Sequence, residues 1–558
     1  MLTFFLVYIF RVILLCLHCQ SYHQHYKNHD YDQIKFDNRS QYSYNLSRYA
    51  IAKLSLMVQL FPAKTFNCYL NYFIDEGCMT LTAMTKGRLV KTGLASAMAA
   101  ALLLTGCSKT NNSAPQAETT TAQSSDASAK PSAAEQANLD RLLLSYADMA
   151  HAAFKDSLDT AKQLQTAVNT FVDDPTQANL DAAKAAYKAA RQPYAQTEVF
   201  RFDEGFVTKN DTRKIASIDG WEGQINAWPL DEALIDYVSS DYEGEYNSKD
   251  NIINSDTVTV GSLKQDTKTI TPELLAEMNE IGGSEANVTT GYHAIEFLLW
   301  GQDTNGTGEG AGNRPVSDYV TDGQCTSGAT ANADSRICDR RGQYLKAVTQ
   351  LLVNDLTDME AEWQPESDNT LRSDFMARKD SNALRQIMYQ MGSLALGELA
   401  SERMQVAFVT GSTEDEHECF SDLTHLSYAN NARGIQNVFN GSYKTVDGKA
   451  VGGYGLKQYL IDTNHKDEAD KLTADFKKVE DAFNIIVDKA EKEGIKVDQM
   501  IATVGQANKH GISAEEQNKR RGWIEAGITS LQALTADIEN AAAAVGIDNL
   551  DADAGSQF

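Results

Sequence analysis

Long runs of helical period, broken by few strand signals, set the narrowest limit on what this chain can fold into. Residues 136–172 and 176–200 are rich in Ala and Leu, with apolar residues three and four apart. That spacing gathers them on one face of an amphipathic helix. Asp174-Pro175 separates the two runs as a break, since a proline lacks the backbone N–H and its ring kinks or breaks a helix. Similar runs cover about 336–364, 382–409, 420–439, 466–493 and 513–545, whereas segment 239–270 reads as a polar loop with a short hairpin. The expected fold class is all-α. Roughly 420 ordered residues are enough for two domains.

The first 83 residues have a different character. They hold four of the ten histidines and four of the eight cysteines, and the apolar run Phe4 to Leu17 is interrupted by Arg11. It falls short of the roughly 20 apolar residues of a membrane span. A stronger targeting signal starts at Met84: Lys86, Arg88 and Lys91 precede an apolar stretch from Leu94 to Leu104 and then Gly106-Cys107. Basic residues, an apolar core and a small-residue end in that order are those of a secretory signal, and Leu104-Thr105-Gly106-Cys107 resembles a bacterial lipobox. Residues 1–83 are therefore expected to be a spurious or unprocessed extension, 84–106 a lipoprotein signal peptide, and Cys107 the lipidated first residue. Residues 107–135 are Ser-, Thr- and Ala-rich and read as a flexible tether. Ser108 after the cysteine favours the outer membrane, facing the periplasm or the surface.

Residues 1–106 hold 10 of the 50 Lys and Arg but 5 of the 76 Asp and Glu, so the remainder stands at net −31. That charge disfavours nucleic acid and anionic surfaces as partners. Beyond Cys107 the chain keeps Cys325, Cys338 and Cys419. Cys325 and Cys338 lie 13 apart in a Gly/Ser/Asn-rich loop, and an oxidising compartment makes them the expected disulfide. Beyond Cys107 no Cys-x-x-Cys pair offers a zinc site.

The chemistry is concentrated in Thr290-Gly291-Tyr292-His293-Ala294-Ile295-Glu296-Phe297-Leu298-Leu299-Trp300. Positions 293 and 296 are one helical turn apart, so imidazole and carboxylate leave the same face and can converge on a metal ion. Most His-x-x-Glu pairs are surface ion pairs or core histidines, and such a match needs its structural context. The zinc-protease signature is absent, since position 294 is Ala and position 297 is Phe.

That context is a resemblance. The segment is similar to the Gly-x-His-x-x-Glu motif of the imelysin-like family, bacterial envelope proteins that include the iron-regulated protein A group. The resemblance continues through Arg191 to Glu198, Asp219 to Asp231, Gly310 to Pro315 and His417 to His425, and spans roughly residues 136–550. It implies two helical-bundle domains, 136–330 with the motif and 331–558, meeting at a cleft. It also implies a metal ion, iron first and zinc as the alternative, held by His293 and Glu296. Glu198, Glu222, Arg314, Asp422 and His425 are the further cleft candidates. Asp422 and His425 repeat the acid–imidazole spacing in reverse, although Ser421 or Asp422 is equally suited to cap a helix.

Two functions follow from the resemblance. One is a lipid-anchored protein that binds iron or an iron-bearing ligand and assists iron uptake beside other envelope components. The other is a metal-dependent peptidase, after the activity behind the family name; it needs a metal-bound water and a separate base. Asp303 to Glu309 has the oxygen spacing of half a calcium loop, but position 314 is Arg where that loop needs a bidentate glutamate.

Overall fold

The computed structural model describes residues 132–201, 219–240, 242, 250–378, 381–550 and 552. The N-terminal extension, the signal segment and Cys107 lie outside these residues. All the described residues belong to one compact unit, Ser124–Phe558, and it is all-α with three two-stranded antiparallel hairpins among the described residues.

The principal helices are α1 (Ala133–Asp173), α2 (Gln177–Thr197), α3 (Gly291–Trp300), α4 (Ser335–Trp363), α5 (Ser381–Gly392), α6 (Thr424–Asn440), α7 (Lys466–Lys492) and α8 (Ala514–Ala544). Helix α1 starts at a capping box: Glu135 N–H donates to Ser132 Oγ, and Ser132 N–H donates to the Glu135 carboxylate. Two otherwise orphaned backbone donors are thereby satisfied. Past Asp174-Pro175, Thr176 caps α2. Helix α5 passes without a break into a π-helical stretch, Ser393–Gln405. The expected 239–270 hairpin pairs Thr257–Val260 with Leu263–Asp266.

Helices α1, α2 and α4 pack together as a first bundle, with α3 against α4 and α2. Its centre is aromatic: Tyr146 contacts Phe200 and Phe375, each with ring centroids 4.9 Å away. The second bundle joins α5 and its π-helical extension to α6, α7 and α8. Helix α6 crosses α2 so closely that a Cβ on Gly434 would lie 2.9 Å from the Gln196 carbonyl oxygen. This crossing links the bundles, and the segment leading into α6 meets α3, where Ser421 bonds Glu296. Cys325 and Cys338 are joined in a disulfide, with Cα atoms 5.9 Å apart. Among the described residues, no helix is long and apolar enough to cross a membrane.

Candidate functional site

Every residue of α3 is buried, which is why its sequence is apolar all round rather than along a stripe. The helix enters at Gly291, where φ is 76° and a Cβ would stand 2.3 Å from the Ile225 carbonyl oxygen. Only glycine satisfies both the left-handed backbone and that close approach. Thr290 Oγ1 reaches the Gln224 carbonyl at 2.7 Å, so the 221–229 segment is fastened to the start of α3.

His293 and Glu296 meet as their spacing requires: His293 Nδ1 lies 3.0 Å from Glu296 Oε2. The other oxygen, Oε1, accepts the Ser421 backbone N–H at 2.9 Å and the Ser421 hydroxyl at 2.6 Å, while Tyr187 OH donates to Oε2 at 3.3 Å. Burial raises Glu296 to about 7, against these hydrogen bonds and Arg191. Burial also depresses His293 to about 3, helped by Arg191. With Nδ1–H given to Glu296, the neutral ring carries its lone pair on Nε2, which is buried and has no hydrogen-bond partner. A carboxylate behind a histidine in this way fixes the tautomer and aims the free nitrogen.

What packs beside that ring was not legible locally. The His417 ring stands 5.0 Å from the His293 ring, and Trp228 packs edge-on against His417 at 4.5 Å. Burial, with Arg403 next, holds His417 well below its ordinary pKa. The Asn226 amide nitrogen lies 3.5 Å from His417 Nε2, which favours a lone pair there and the proton on Nδ1, a second buried nitrogen without a partner. Asn226 also donates to Glu222 at 3.0 Å and accepts from Arg191 at 2.7 Å, and Arg191 holds Glu418 at 2.6 Å.

Beyond Asn226 lies a charged cluster. Glu198, Glu222 and Glu398 bring one oxygen each within 4.8 Å of one another. Arg403 spans all three, at 2.6 Å from Glu198, 3.4 Å from Glu222 and 2.8 Å from Glu398. Arg201 joins from the other side, 3.1 Å from Glu198 and 3.3 Å from Glu222, and also pairs with Glu398. Burial pushes Glu398 up to about 7; it opposes ionisation of Glu222 as well, but Arg201 and Arg403 leave that carboxyl below its ordinary value. A small cavity lined by Phe154, Tyr194, Thr197, Glu198, Arg201 and Glu222 opens beside them.

The other candidates lie apart. Asp422 adopts φ 57° just before α6, so it does not share a helical face with His425. The cap of α6 is Leu423, with no side-chain bond, and Ser421 serves Glu296 instead. His425 pairs with Glu491 at 2.7 Å. Arg314 is fully buried on Asp236 at 2.7 Å and Asp318 at 3.2 Å, where Arg341 also binds Asp236 at 2.7 Å. Sequence reasoning took Trp228 for a packing anchor and passed over Asn226, Glu398, Arg403 and the pairing of His417 with His293. The only local signals were the density of Trp and acidic residues in the 219–231 and 414–422 blocks.

Fold and site together define a two-bundle helical protein with buried histidine and carboxylate donors at the junction of its bundles. The family model described as Imelysin matches residues 150–538. The chain belongs to the imelysin family. A 71-residue stretch is 37% identical to iron-regulated protein A of Synechococcus elongatus, covering 13% of this chain and 17% of that protein. A crystal structure from Parabacteroides distasonis, assigned as an iron-regulated protein A precursor, is similar at 14% identity and TM-score 0.43, over 74% of this chain and 97% of that one. An imelysin-like protein from Psychrobacter arcticum is similar at 14% identity and TM-score 0.46, over 74% and 96%.

Proposed function

We propose that this protein binds iron, or an iron-bearing ligand, at the junction of the two bundles and serves iron uptake from the bacterial envelope. The observation that carries this reading is His293 Nε2: buried, unpartnered, on a ring kept neutral and backed by Glu296. A nitrogen lone pair in that state is a metal ligand that no proton competes for near neutral pH. Glu296 acts by holding His293, since both its oxygens are already hydrogen-bonded. His417 Nδ1 is a second buried polar atom without a partner, and Glu198, Glu222 and Glu398 would supply hard oxygen donors if a cation took the place of Arg201 and Arg403. Mixed nitrogen and oxygen donors suit iron, with zinc the alternative. Lipidation at Cys107 would tether this site to the outer membrane, beside other iron-uptake components.

The peptidase reading requires a base free to take a proton from a metal-bound water. Glu296 is engaged by Ser421, Tyr187 and His293, which favours binding over hydrolysis. Metal analysis of protein purified without chelators, run beside casein and insulin cleavage, tests both. Iron near one per chain without cleavage is the expected result. Metal-dependent cleavage, or failure to take up iron, overturns it.

A further inference from the structure

Two buried polar atoms without partners belong to adjoining rings, and they are of opposite kind. His293 Nε2 carries a lone pair, because Nδ1–H is given to Glu296; His417 Nδ1 is the other orphan. Asn226 decides which nitrogen of His417 holds the proton. Its side-chain oxygen accepts from Arg191 at 2.7 Å, and its amide nitrogen donates to Glu222 at 3.0 Å. Turning that amide round would set its oxygen against a carboxylate and its N–H groups against a guanidinium. The amide nitrogen therefore stays towards His417 Nε2, 3.5 Å away, and a donor there calls for a lone pair. A neutral imidazole has one N–H, so the proton falls to Nδ1.

Arg191 gives this relay a fixed base. Its Nε donates to Glu418 at 2.6 Å, and its guanidinium lies over the Tyr292 ring, 4.8 Å from the centroid. Glu418 adjoins His417 and Tyr292 adjoins His293, so one arginine braces both histidine segments. The two histidine rings stand 5.0 Å apart, and their orphaned atoms are not bonded to each other. Trp228 packs on both, 4.5 Å from the His417 ring and 6.5 Å from the His293 ring. With His293 2% exposed and His417 1%, bulk water answers neither. Orphaned buried groups of this kind call for a ligand or a bound water.

We propose that His417 donates a hydrogen bond to an anionic oxygen on ferric iron bound by His293, and so selects ferric over divalent metal. This rests on the iron reading given above. A lone pair on Nδ1 would have made His417 a second nitrogen ligand, suited to zinc or cobalt. A proton there makes it a donor to oxygen instead. Hydrogen bonds to charged oxygens are the stronger ones. A bound cation acidifies its water, and a trivalent ion does so more than a divalent one. Ferric iron thus presents hydroxide, or a carboxylate of the chelate that carries it, where cobalt(II) presents neutral water.

Nitrogen-15 spectra of the metal-free full chain, labelled at histidine, test the tautomer without a variant's affinity. His417 should be protonated on Nδ1 and bare on Nε2, its signals being those lost in His417→Phe. Titrations with ferric nitrilotriacetate and with cobalt(II) chloride test the selection. His417→Phe should lose about 10- to 100-fold in ferric affinity, as for a hydrogen bond to a charged group, and keep cobalt affinity within about threefold. His417→Gln, whose amide can donate, should recover part of the loss. Radiolabelled nitrilotriacetate that stays with the iron through gel filtration marks a chelate oxygen; iron without label marks a solvent oxygen. A proton on Nε2 of His417, equal losses for both metals, or no loss for either overturns the proposal. Unchanged ferric binding in both variants would leave the iron reading standing, whereas a parent protein that takes up neither metal overturns that reading and this proposal with it.

Discussion

Ser421 gives Glu296 two hydrogen bonds, one from its backbone N–H and one from its hydroxyl, both to the same carboxylate oxygen. A residue of the loop before α6 thus fixes a side chain of α3, 125 positions away. Ser421→Ala keeps the first bond and removes the second. Stability should fall by about 1 kcal/mol, and iron affinity by up to about tenfold, because the group aiming His293 is loosened. Urea unfolding and iron titration on the same samples check this; unchanged affinity would separate Ser421 from the site.

His293 and Glu296 should respond differently to substitution. His293→Ala removes the unpartnered lone pair and should abolish iron binding. Glu296→Gln leaves the ligand in place but disturbs its aim, at a cost of about 10- to 100-fold. Both variants should keep the far-ultraviolet dichroism of the parent. Severe unfolding with normal affinity per folded molecule would make the pair a structural clamp.

Arg314 is expected to be structural. It sits fully buried between Asp236 and Asp318, and removing one partner of such a group leaves uncompensated charge. Arg314→Ala should cost about 3–5 kcal/mol with iron binding per folded molecule unchanged. A stable variant with weakened binding would return Arg314 to the site.

His425 should govern part of the acid sensitivity. Burial depresses its pKa to about 4, although Glu491 opposes the shift. In the fold the ring stays neutral, whereas the unfolded chain takes up a proton below about 6.5. Its contribution is therefore intact above pH 6.5 and is lost as pH falls from 6.5 towards 4. The span amounts to about 3 kcal/mol at most. Urea unfolding at pH 7.5, 5.5 and 4.5 should show a shallower acid loss for His425→Gln; parallel curves would reject this role.

The long helices were legible because each carries its own period, and α1, α2, α4 and α8 also carry side-chain caps. The run expected over 176–200 is α2 followed by a 3-10 turn, and 336–364 is α4 within a residue at each end. His293 and Glu296 were legible because one helical turn relates them. His417 beside His293, and Arg403 across three glutamates, arise from tertiary crossings that no local spacing encodes. Asp422 and His425 show the converse error. Their three-residue separation implies one face only if both are helical, and α6 begins after Asp422.

The closeness of Gly291 to Ile225 bears on how such a site could be transplanted. Of the three defining letters in Gly-x-His-x-x-Glu, two supply chemistry and one records how a distant strip of chain abuts the helix. Grafting residues 290–300 alone into another helical scaffold would carry the side chains and leave behind the wall that faces them. A graft that moves residues 221–229 together with the helix preserves the enclosure, and the glycine is the mark that the two pieces belong together.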